Sequence, residues 1–156
     1  MLAAVVGLGA VASSSFSSWA APAARQVNVR GPGEPDCPGE INRARARNDV
    51  TGVFLAEVMC RLHTKWKCEA VCKGDELLVT HVATRVQRSG QAGDTQVVQK
   101  SDSKAFDDMC TGALKTAGPF PAPPAGIGDA SGAAPLKVEF ACDCLELKKT
   151  PPAPAK

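Results

Sequence analysis

Apolar residues recur at helical spacing in two places along the chain. From Val50 to Trp66 the positions Phe54, Leu55, Val58, Met59, Leu62 and Trp66 fall three and four apart, the spacing of one helix face. Asp49 or Thr51 is placed to cap its start. From Ser103 to Ala117 the stripe is Ala105, Phe106, Met109, Cys110, Ala113, Leu114 and Ala117. Ser101, Asp102 or Ser103 supplies the cap, and Asp107 and Asp108 suit the positive end of the helix dipole. Gly118 and Pro119 end this helix and hand it to an extended run, Pro119-Phe120-Pro121-Ala122-Pro123-Pro124, with one aromatic anchor.

Elsewhere the period is two. Over Glu76 to Arg88, the positions Leu77, Val79, His81, Ala83 and Arg85 alternate with Leu78, Thr80, Val82, Thr84 and Val86, as in a half-buried strand. Ser89 to Asp94 is a turn, and Thr95 to Lys100 returns as the second arm of a hairpin. A Gly/Ala-rich loop over Ala125 to Pro135 precedes a last strand, Leu136 to Cys144, with Leu136, Val138, Phe140 and Cys142 on one face. The order helix, strand, strand, helix, strand predicts an α+β fold, a three-stranded antiparallel sheet with two helices packed on one face. The last strand enters from a long loop rather than a hairpin, which predicts an edge position for Leu136, Lys137, Val138, Glu139 and Phe140, with Lys137 and Glu139 facing away from the core. Residues 25–49, with Gly-Pro-Gly, Pro35, Pro38 and alternating arginines, read as a flexible linker. The Pro-rich end, 148–156, reads as a disordered tail.

The 156 residues suit one small domain, here 50–147, with appendages. Tyr is absent and aromatics are 4%, which argues against an aromatic-lined nucleic-acid platform, and the net charge of +2 is too small to imply a polyanion partner. Met1 to Ala24 has no charged residue and an apolar stretch over Leu2 to Ala12, too short to span a bilayer, followed by small residues. That is the pattern of an export signal peptide cleaved after Ala20 or Ala24. The mature chain is then expected to have no transmembrane segment.

Seven cysteines are the compositional outlier. In an exported chain, Cys37, Cys60, Cys68, Cys72, Cys110, Cys142 and Cys144 are disulfide candidates, and their odd number leaves one thiol free or paired between chains. Cys37 is placed to tether the linker. Cys60 and Cys110 sit on helix faces, as packing thiols or as a helix-to-helix bridge. Cys68, Cys72, Cys142 and Cys144 are the alternative, a zinc module, although C-x3-C and C-x-C are not the usual knuckle spacing. No nucleotide loop, nucleophile elbow or shared carboxylate pair occurs, so no catalytic residue, metal or cofactor is assigned and an enzyme is not expected.

The ordered set Val97-Val98, Ser101-Asp102, Phe106-Asp107, the Ala113–Ala117 run, Pro119-Phe120-Pro121 with Pro123-Pro124, and Leu136–Phe140 resembles the C-terminal domain of the TonB/TolA family, over about Gly52 to Cys144. Trp66 at the end of the first helix fits the same layout. The resemblance implies a periplasmic interaction module of the Gram-negative envelope, docking on an outer-membrane or periplasmic protein by strand addition, and carries that role onto Leu136–Phe140. The family's N-terminal membrane helix and long spacer are not seen, which implies a soluble adaptor or accessory in envelope transport or integrity. The alternative to a docking module is a small disulfide-stabilised secreted structural protein.

Overall fold

The computed structural model describes residues 23–149. Nearly all of the expected leader and the tail from residue 150 onward lie outside the described residues. Four strands, β1 (Arg25–Gly31), β2 (Leu77–Val86), β3 (Ala92–Gln99) and β4 (Ala134–Asp143), form one sheet in the order β1-β4-β2-β3. Four helices accompany it: α1 (Cys37–Ala46), α2 (Val50–Lys65), α3 (Lys104–Thr116) and the short α4 (Cys144–Lys149).

The α+β class holds, with two corrections. The sheet has four strands and is mixed, because β1 pairs with β4 in parallel while the other pairs are antiparallel. The stretch 25–49 is not a linker. It supplies β1, whose Val27 and Val29 enter the core, and α1, which the Cys37–Cys60 disulfide fastens to α2.

Local chemistry sets the element ends. Asp49 accepts from Gly52 N at 2.7 Å and caps α2, and Ser103 accepts from Phe106 N at 3.3 Å and caps α3. Asp107 is buried and accepts from the amide and hydroxyl of Ser101 at 3.0 and 2.9 Å, which satisfies a carboxylate that would otherwise be costly to bury. After α3 the proline run returns to the β2–β3 turn, where Phe120 is buried and its N–H donates to Gly90 O at 2.7 Å. Gly90 has φ +81°, and a Cβ there would collide with the Phe120 carbonyl, so this corner requires glycine.

The core lies between the sheet and α2 and α3. Phe54, Val58 and Leu62 of α2 and Phe106, Cys110, Ala113 and Leu114 of α3 meet Leu136, Val138 and Phe140 of β4. Trp66 follows α2 and is buried, its ring 6.1 Å from Phe106 and 5.6 Å from Phe140, so one aromatic cluster joins both helices to the central strand.

Candidate functional site

Strand β4 is central rather than marginal. Residues Arg25–Gly31 flank it on one side and Leu77–Val86 on the other, so its backbone groups are used in both directions. Leu136, Lys137, Val138, Glu139 and Phe140 therefore do not form a free edge. The expectation failed because only three strands were foreseen, which left the last of them at the end of the sheet. The facing was right: Leu136, Val138 and Phe140 are buried, while Lys137 and Glu139 look away from the core. Glu139 contacts Arg30 of β1 at 3.0 Å and His81 of β2 at 3.3 Å, tying three strands together across the open face.

The sheet's true edges are β1 and β3. Gln26, Val27 and Asn28 of β1 line a groove whose far wall is α1 and α2, and Arg25 and Arg30 charge that strand. Beyond β3 no further strand pairs among the described residues, while α3 packs against the strand. From Thr95 to Gln99 this edge carries no charge, Asp94 and Lys100 flanking it. Val98 is 55% exposed on the open face, and Leu77 of neighbouring β2 is 64% exposed.

Strand β3 is held to β2 through irregular register. Shifts occur between His81 and Val82 and between Ala83 and Arg85. Beside them the buried threonines substitute for ladder bonds: Thr80 donates to Gln99 O at 2.7 Å, and Thr84 donates to Gly93 O at 3.0 Å. Bulges ordinarily help to protect an edge, but with no further strand paired beyond β3 its outward N–H and C=O groups have no strand partner. The uncharged run was legible in the sequence; its meaning was not, because the neighbour order was unknown.

The cysteines resolve into three disulfides, Cys37–Cys60, Cys68–Cys142 and Cys72–Cys144. The four sulfurs considered as zinc ligands are thus paired with one another. Cys110 is free and buried. Burial pushes its thiol up to about 12; the facing Trp66 indole opposes this and the Asp107 carboxylate adds to it. The indole Nε1 has no aligned hydrogen-bond acceptor, so Trp66 and Cys110 meet as packing neighbours. The native thiol stays protonated where the unfolded chain, with an ordinary value near 9.0, ionises. Stability therefore falls as pH rises from about 9 towards 12, because only the unfolded chain releases the proton there. At pH 8 N-ethylmaleimide is expected to leave native Cys110 untouched and to modify it in urea. Equal labelling in both states would contradict its burial.

His63 bonds the Arg30 carbonyl through Nε2 at 2.8 Å, a contact that steadies the end of β1. No helix among the described residues is long and apolar enough to cross a membrane.

The profile for the TonB C terminal matches residues 52–140, from early α2 to β4. The chain belongs to the TonB C-terminal family. That match covers the hairpin, α3, the proline exit and β4, the same pieces that carried the resemblance. It does not include β1 and α1, the elements that sequence reading missed. No curated protein and no solved structure matches the chain. Family membership points to protein–protein interaction, and three disulfides are compatible with an oxidising, envelope-side location.

Proposed function

We infer that this TonB C-terminal domain is a periplasmic docking module, exported by the Met1–Ala24 leader, that captures an extended segment of an envelope protein on the β3 edge. The observation that carries this reading is the uncharged run Thr95–Gln99 on a strand with one side unpaired. Edge strands are normally blunted by charge, proline, bulges or a covering element, since an open one is a template for pairing; β3 has the register shifts but neither charge nor proline from Thr95 to Gln99. Here Val98, exposed on that edge, offers an apolar side chain to an incoming strand. The partner is an outer-membrane or periplasmic component, and the role is that of a soluble adaptor or accessory in envelope transport or integrity. No catalytic step is part of this reading.

Single prolines placed in turn at Gln96, Val97 and Val98 test it. Substitutions that remove a ladder N–H lower the melting temperature, while those at outward N–H groups keep the fold. The folded variants are expected to lose capture of the envelope partner at least tenfold, the order of affinity carried by one or two lost main-chain bonds. Full capture by every folded proline variant would exclude strand addition at β3.

A further inference from the structure

Two of the disulfides meet side by side where β4 ends. Cys142 and Cys144 are met by Cys68 and Cys72 from the short helical turn Cys68–Val71 that follows α2. Cys72 Sγ lies 3.6 Å from Cys142 Sγ, a sulfur of the other bridge. Both sulfurs are bonded and carry no hydrogen, so this is a packing contact. The Sγ atoms of Cys72, Cys142 and Cys144 all lie within 4.8 Å of one another. Access differs at one sulfur. Cys68, Cys142 and Cys144 are sealed, at 1%, 0% and 1% exposure. Cys72 is half-buried, and with Cys144 it lines an open cavity of about 620 Å³ together with Lys73 and Lys148.

We propose that the paired bridges form a thiol–disulfide exchange site, which accepts a dithiol reductant at Cys72–Cys144 and relays the exchange to the buried Cys68–Cys142 bond. One thiolate of the dithiol attacks Cys72 Sγ. The Cys72–Cys144 bond breaks, and its electron pair leaves on Cys144, which takes up a proton. The second thiolate of the dithiol attacks its own sulfur in the mixed disulfide, closes its own ring and releases Cys72 as a thiolate. The dithiol has now lost two electrons and two protons. The Cys72 thiolate then attacks Cys142 Sγ, forming Cys72–Cys142 and breaking Cys68–Cys142. Cys68 leaves with that electron pair and takes the second proton. This last step involves no net oxidation.

Lys73, Lys148 and Glu69 line the cavity, and Lys148 is paired with Asp75, so the step rests on the sulfur-to-sulfur distance and not on a local charge. The relay hardly alters chain entropy, because the new bond joins residues 70 apart and the old one residues 74 apart. Its product is a free Cys68 thiol beside Trp66 and the Gly31 backbone, so a redox event at the surface is delivered to the point where β1 leaves the sheet.

The oxidised full chain, treated with limiting dithiothreitol, quenched with acid, labelled with N-ethylmaleimide in denaturant and mapped by mass spectrometry, tests the relay. A protease cutting after Glu69 and Asp143 separates the four cysteines. Because the relay is close to neutral, a Cys72–Cys142 cross-link with label on Cys68 and Cys144 is expected beside the form reduced only at Cys72–Cys144, Cys110 being labelled in every sample. Label on Cys72 and Cys144 with Cys68–Cys142 intact in all of the product, and no Cys72–Cys142 cross-link, would overturn it. The C144S chain repeats the question without reductant, since Cys72 is then a thiol from the start. Label on Cys68 is expected there, and label on Cys72 alone would again overturn the relay.

Discussion

A chain carrying C68A, C72A, C142A and C144A together is expected to be largely unfolded at 25 °C. The two bridges close nearly the same loop, with sequence separations of 74 and 72. Loop-closure entropy assigns about 4.5 kcal/mol to the first bond across such a loop. Once it is present, the second closes only a small ring built from 68–72 and 142–144, worth about 2.5 kcal/mol on the same scale. Losing both therefore costs about 7 kcal/mol, within the whole stability of a typical domain. Losing either pair alone, as C68A/C142A or C72A/C144A, is expected to cost about 2–3 kcal/mol, because the survivor still holds the long loop. Urea denaturation of the three variants measures this. If a single-pair variant is as unstable as the quadruple one, the bridges are not the partly redundant staples that their placement implies.

The second large effect lies in the aromatic cluster. Phe106 and Trp66 are 0% and 2% exposed, on different helical segments, and both rings face the core beneath β4. Each substitution to alanine removes a large apolar side chain from a closed site and leaves a cavity, at a cost of roughly 3–5 kcal/mol. The two are expected to be less than additive, because each cavity loosens the packing of the other ring. Near wild-type melting of both F106A and W66A would contradict the assigned faces of α2 and α3.

What could be read from the sequence follows from how each element is stabilised. Helices α2 and α3 bury a regular stripe and carry Asp49 and Ser103 as caps, so spacing and capping chemistry located them closely. Strands β2 and β4 show clean alternation, and the turn between 86 and 92 marks β3 as the returning arm. Strand β1 offers only Val27 and Val29 and pairs in parallel with a partner more than a hundred residues away, so nothing local announces it. Helix α1 buries Ala44 and otherwise depends on the Cys37–Cys60 bond and on packing against α2, so its own pattern is polar with prolines nearby. Missing β1 moved β4 from the middle of the sheet to its edge, and that single error placed the expected docking strand on β4 rather than on the edge proposed here, β3. The cysteines were identifiable as bridge candidates, but their connectivity depended on the missing topology.

The docking account is tested most directly by amide hydrogen exchange across β3, with and without the captured envelope partner. Strand addition predicts that amides between Thr95 and Gln99 slow on binding in an alternating pattern, the outward N–H groups gaining protection while the inward ones already have it. Amides of β1 are expected to be unchanged. A bound partner with unaltered exchange along β3, or with new protection confined to β1, would contradict the assignment of the β3 edge as the docking site.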